Sequence, residues 1–227
     1  MGQRLRGWCL GILTLGVCIL YTGGTGRADV VVTNNNQFIS STPNLRVIVS
    51  SAFTYAGETQ FTATTELGDQ TTGSAYVFSQ NVGDQVKRIF CIKLIPELLA
   101  FPFSLLGNIS ADLDVSTCIL ADRQYQCTTK LLSFSGNEPV AKLLSPQGYF
   151  LPPCLLAKTF VASDYADGNR LIGIFYLEGV SPSLFDCRAW KSTAQLSGDQ
   201  QTYLSQFEQN WMNAFNVFPR GISVLSY

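Results

Sequence analysis

The 227-residue chain contains no histidine. Every mechanism that relies on imidazole as base, proton shuttle or metal ligand is thereby excluded. There is no C-x-x-C pair either, so the seven cysteines do not read as a zinc site. The nucleophile and phosphate motifs G-x-S-x-G, S-x-x-K, the P-loop pattern and G-x-G-x-x-G are all missing. No cluster of lysine and arginine marks a nucleic-acid footprint. No apolar run reaches the roughly 20 residues needed to cross a bilayer as a helix. None of the patterns present implies a cofactor.

What is present starts at the N-terminus. Arg4 and Arg6 precede the apolar run WCLGILTLGVCILY, and Gly26-Arg27-Ala28 supplies small residues at the third and first places before a cut. Residues 1–28 therefore read as a secretory signal peptide. A lipid anchor at Cys18 fits less well, because Val17 stands where a small residue is expected. Residues 29–227 are then one exported domain, periplasmic or extracellular, long enough for a substantial core. Arg4, Arg6 and Arg27 leave with the signal while all acids stay. The remaining 12 basic and 16 acidic residues give a net charge of −4.

Export makes disulfides the expected state of the five remaining cysteines. Cys118 and Cys127 flank ILADRQYQ, a span short enough to close a hairpin, and Cys154 and Cys187 flank the most hairpin-like stretch of the chain. Cys91 sits inside an apolar strand and reads as a buried free thiol.

That stretch, residues 158–179, places two apolar runs around Asp167-Gly168, a strong signal for a type I′ turn. Its second arm carries Leu171, Phe175 and Leu177 on one alternation face and Ile172, Ile174 and Tyr176 on the other. Apolar residues on both faces suit a strand at the centre of a sheet. A second hairpin joins residues 74–80 to residues 86–95, with one face of the second arm buried and the face carrying Lys87 and Lys93 half exposed. Residues 45–49 and 53–65 read as further strands, and the polar run after Val30-Val31-Val32 reads as a loop.

Asn137 is the expected cap of a short helix with Pro139 in its first turn. Ser197 and Gln200 form a capping box for a long helix whose stripe is Tyr203, Leu204, Phe207, Trp211, Ala214 and Phe215. The expected fold class is α+β: a mostly antiparallel sheet built from two hairpins, with a short and a long helix packed on it. The segment opening at Pro96 and closing at Leu113 is apolar but broken by prolines, and reads as core, lid or partner surface.

Candidate chemistry is sparse. Asp112 and Asp114 are weak cation ligands by number, and the acids around Asp164 and Asp167 are accounted for by the turn. Glu58, Glu66, Asp84 and Glu178 are available to a hydrolase using two carboxylates, but nothing in the sequence pairs them. The pieces SAYVFSQ…QVKRIFCIKLI, EPVAKLLSPQGYFLP and KTFVAS…NRLIGIFYLEG resemble an uncharacterised family of small secreted bacterial proteins. The resemblance implies the strand order and an exported location, and brings neither an activity nor a functional residue. The sequence thus points to an exported non-enzymatic binding or interaction module. Its partner would be an apolar ligand, an envelope component or a protein, not nucleic acid. The alternative is a histidine-free hydrolase.

Overall fold

The computed structural model of the chain describes residues 30–64, 70–95, 108–164, 170–180 and 196–218. It corrects the expected fold class. The protein is mostly β, with a seven-stranded and a four-stranded sheet and only two α-helices among the described residues. The large sheet is two meanders joined in the middle. Strands β4 (Thr54–Thr64), β5 (Gln70–Val82) and β6 (Gln85–Ile95) form the first. Strands β7 (Asn108–Leu120), β8 (Arg123–Ser133), β9 (Cys154–Asp164) and β10 (Arg170–Gly179) form the second. The order β4-β5-β6-β10-β9-β8-β7 puts β10 at the centre, antiparallel to β6 from Leu171 opposite Ile95 to Glu178 opposite Arg88.

The central position of β10 follows from its residues. Ile172, Ile174 and Tyr176 are buried in one core, and Leu171, Phe175 and Leu177 in the other. The first core lies against the small sheet, β1 (Val30–Val32), β2 (Gln37–Ser40), β3 (Leu45–Val49) and β11 (Phe215–Phe218), and against α2 (Gly198–Met212). The second includes Val140 and Leu144 of α1 (Pro139–Leu144).

Two expectations fail for a shared reason: local composition hid strands. The polar run after Val32 is not a loop but the β1–β2 hairpin, turned at Asn36 with φ 54°. The hairpin expected at Cys118 and Cys127 is present and belongs to two long strands that the sequence did not delimit: β7 is the edge of the large sheet, with Val115 and Ile119 exposed, while β8 is interior and buried from Cys127 to Leu132. The aromatic stripe overruns the helix. α2 stops at Met212, and Ala214 and Phe215 are buried beyond it as the chain enters β11 and pairs with β3.

Local chemistry accounts for the element ends. Ser197 Oγ accepts from Gln200 N (3.3 Å) while Ser197 N donates to Gln200 Oε1 (2.8 Å), the expected capping box. The cap of α1 is Glu138 rather than Asn137. Its carboxylate accepts from Ser135 N, Ser135 Oγ and Gly136 N at 2.8–2.9 Å and so closes the turn before the helix. Burial opposes its ionisation, but these donors win and hold the carboxyl below the ordinary glutamate range. Gly83, at φ 63°, opens the two-residue β5–β6 loop as a type II′ turn requires. The Asp167-Gly168 turn lies outside the described residues, as do residues 1–28. The two-residue loop with positive φ at both positions is Ala121-Asp122, at 51° and 61°, joining β7 to β8.

The arrangement is testable at two places. Phe175→Ala and Ile174→Ala truncate opposite faces of one buried strand, so each should lower stability, by about 3–5 and about 2–5 kcal/mol respectively. Near neutrality of either in chemical denaturation would show that its face is open. Ala121 holds a left-handed conformation that an L-alanine side chain disfavours by about 1–2 kcal/mol. Ala121→Asn should therefore raise the denaturation midpoint, whereas Ala121→Val should lower it.

Candidate functional site

Three places gather polar or reactive groups. The first is a seam beneath α2. Glu178, at the end of β10, accepts from Tyr176 Oη (2.6 Å), from Asn210 Nδ2 (3.0 and 3.1 Å) and pairs with Arg88 Nε (3.3 Å). Further along the helix, Lys158 Nζ donates to Thr129 Oγ1 (2.9 Å) and to Glu208 Oε1 (3.0 Å), and Trp211 Nε1 donates to Glu208 Oε2. Tyr203 Oη donates to Gly179 O (2.8 Å). Burial, and then the Glu178 charge, push the Tyr176 and Tyr203 phenols well above the ordinary tyrosine range. Each carboxylate has one base and several donors, so neither is a free acid or base. The seam fastens α2 to the sheet, assisted by Phe207 on Tyr176 and Trp211 on Phe160.

The second place is Lys93, on β6. Its alternation face was expected to be half exposed; the structure leaves Lys93 only 2% exposed. Its neighbours across the ladder are Ala75 on β5 and Gly173 on β10. Its ammonium lies 4.6 Å from the centroid of the Phe61 ring and 5.2 Å from that of Phe175. Among the described residues no carboxylate pairs with it. Desolvation lowers its pKa to about 8, offset only in part by Cys91. The Cys91 thiol, free and buried, is pushed up to about 12 by the same desolvation. The signal for Lys93 lies in the run Ile89, Cys91, Lys93, Ile95: a lysine between positions of a strand face whose other residues there are all apolar.

The third place is a pair of clefts on either side of α1. One, of about 400 Å³, is lined by Thr59, Phe61, Thr62, Thr72, Pro139 and Lys142. The other, of about 290 Å³, is lined mainly by Phe134, Tyr149, Phe150, Leu151 and Pro153. Phe150 is 53% exposed there. Among the described residues no carboxylate lines either cleft.

The acids singled out in the sequence are not brought together. Glu58 lies on edge strand β4 and accepts from Ser74 Oγ (2.9 Å), three strand spacings from β10, or about 14 Å, before any offset along the strands. Asp84 is at the β5–β6 turn, and Glu66 lies outside the described residues. Asp112 and Asp114 are on β7, where the register shifts between them. No group of three or more potential metal ligands forms among the described residues. Cys118 and Cys127 are joined by a disulfide across the β7–β8 hairpin, with Cα atoms 6.1 Å apart. Cys154 is also disulfide-bonded; Cys187, expected to flank the same hairpin, lies outside the described residues. These bridges are compatible with an oxidising, exported location.

Burial of Lys93 makes a signed prediction. The folded amine loses its proton near pH 8, before the unfolded chain does at its ordinary 10.5. Between those values the unfolded state binds more protons, so the Lys93 contribution to stability should rise with pH across that window, by on the order of 3 kcal/mol, opposed above about pH 9 by Cys91, whose folded thiol keeps its proton after the unfolded one has lost it. Lys93→Met should raise stability at pH 7 and flatten that rise. Denaturation midpoints from pH 7 to 10.5 measure both; an unchanged slope in the variant would show that Lys93 is solvated.

Comparison with known proteins finds no matching family, no matching curated protein and no matching solved structure.

Proposed function

We propose that the chain is an exported, non-enzymatic binding module, and that its ligand is a small apolar or aromatic molecule held in the cleft between α1 and the connector that follows it. The observation that carries this reading is the lining of that cleft. Phe134, Tyr149, Phe150, Leu151 and Pro153 offer apolar surface in a concavity of about 290 Å³. A half-exposed phenylalanine at its mouth is surface that a ligand would remove from water. The volume suits a small molecule better than a helix or a folded partner. The connector is anchored, since Phe150 N donates to Asp84 O and Phe150 O accepts from Val86 N at the turn of the β5–β6 hairpin. The cleft is therefore largely preformed, which limits the ordering cost of binding.

Export is supported by the Cys118–Cys127 disulfide together with the signal-peptide pattern of residues 1–28. The resemblance to small secreted bacterial proteins agrees with it. The second reading, a histidine-free hydrolase, needs two free carboxylates at one cleft. The acids beneath α2 are instead each engaged by a base and several donors.

The test uses an apolar fluorescent dye, anilinonaphthalene sulfonate, with the folded protein. Phe150→Ser should weaken binding about tenfold, the loss of one well-buried aromatic contact, without lowering the denaturation midpoint. Glu178→Gln should lower the midpoint and leave dye affinity unchanged. Equal affinity in wild type and Phe150→Ser would place the dye elsewhere and remove the reading.

A further inference from the structure

The structure assigns Lys93 as a covalent site for a small carbonyl compound, reached through the cleft on the Phe61 side of α1. This site is separate from the aromatic cleft and does not depend on it. The geometry begins with isolation. Lys93 shares its face of β6 with Cys91 and Ile95, has Ala75 and Gly173 beside it on β5 and β10, and is covered by the rings of Phe61 and Phe175. None of these neighbours carries a negative charge at neutral pH, since the Cys91 thiol is held in its protonated form. A buried ammonium without a carboxylate is unfavourable, and an apolar residue of the same length would fit the site better for stability alone. The same surroundings favour a neutral amine, the form that attacks carbonyl carbon.

The second element is access. Phe61 is the partition: it lines the cleft of about 400 Å³ and also touches the Lys93 ammonium. Its ring lies over Gly73, where a Cβ atom would stand 2.5 Å from the ring. The glycine leaves the space in which the ring rests, so outward rotation of a single side chain joins the amine to the cleft. Thr62, Thr72 and Lys142 line the same cleft and supply polar contacts for the rest of a bound molecule.

The chemistry balances without any further reactant. The neutral amine of Lys93 adds to the carbonyl carbon of an aldehyde to give a carbinolamine. Loss of water then leaves an imine, and hydrolysis reverses both steps. The residue thus holds its ligand reversibly, and the rings of Phe61 and Phe175 shield the imine from water.

Reductive trapping tests the assignment. The native protein is incubated with benzaldehyde and cyanoborohydride at pH 8, and the benzylated residues are located by peptide mass. Lys93 should be modified about tenfold or more in excess of the exposed Lys87 and Lys142, because more of its amine is neutral. Phe61→Ala should speed modification at Lys93 several-fold without moving it, and Lys87→Met, at an exposed lysine outside the cleft, should leave it unchanged. Lys93→Met should abolish the preferred label while the protein remains folded by denaturation midpoint. Label spread over exposed lysines with Lys93 unmodified in both wild type and Phe61→Ala would overturn the assignment, as would modification of Lys93 only after unfolding. Either of those results leaves dye binding at Phe150 as an independent measurement.

Discussion

The ladder between β10 and β6 is the contact on which the rest of the structure depends. Each meander of the large sheet is built from neighbouring segments, but neither covers its own faces. Pairing Leu171–Glu178 with Arg88–Ile95 turns two edge strands into two central ones and produces a sheet wide enough to carry a layer on each side. Between Ile89 and Ile95, Lys93 apart, and from Leu171 to Leu177, both partners are apolar on both faces, so the ladder buries side chains above and below at once. A one-residue slip would exchange the two faces, bringing Arg88 and Glu178 into apolar surroundings; the alternation therefore fixes the register as well as the pairing.

That ladder also sets where charge can be placed. At its end Arg88 stands opposite Glu178, and the pair is capped from α2 by Asn210. Lys158, on the next strand and opposite Tyr176, meets Glu208 of the same helix. The helix thus docks through two carboxylates of opposite origin: an acid of the sheet received by Asn210, and an acid of the helix received by Lys158. Phe207 packs on Tyr176 beside them. A helix with this alternation of polar and aromatic contacts has one position and one rotation that satisfy all of them. The small sheet is then closed because β11 leaves that helix and pairs with β3, from the other end of the described chain.

How much of this was legible in the sequence follows from what each residue reveals locally. The central strand was readable because a short run with apolar residues on both alternation faces is stable only where both faces are covered. The capping box at Ser197 was readable because its two hydrogen bonds join residues three apart. The extent of β7 and β8 was not: β7 is an edge strand whose exposed Asp, Ser and Thr residues resemble loop composition, and β8, although interior, carries two threonines and a lysine within its buried run from Cys127 to Leu132. Nor was β11: Trp211 and Phe215 keep helical spacing although the helix ends between them, and only the vacant edge of β3 decides that Phe215 belongs to a strand. The clefts beside α1 were hidden for a similar reason. They are formed by segments that meet only after folding, such as Thr59 with Pro139 and Phe134 with Phe150.

Two lysines on opposite faces of the large sheet show how differently one fold treats the same side chain. Lys158 is given a carboxylate, a hydroxyl and the face of Trp211 at 5.8 Å, so its charge is kept and serves to hold α2. Lys93 is given two phenylalanine rings and no acid among the described residues. Ring faces stabilise a cation by only about 0.5–2 kcal/mol, less than the desolvation of a buried ammonium, so they soften its isolation without cancelling it. A structural role would be served by the first arrangement or by a methionine. The second leaves a desolvated amine behind the ring of Phe61, the setting on which the proposed reactivity of the lysine depends.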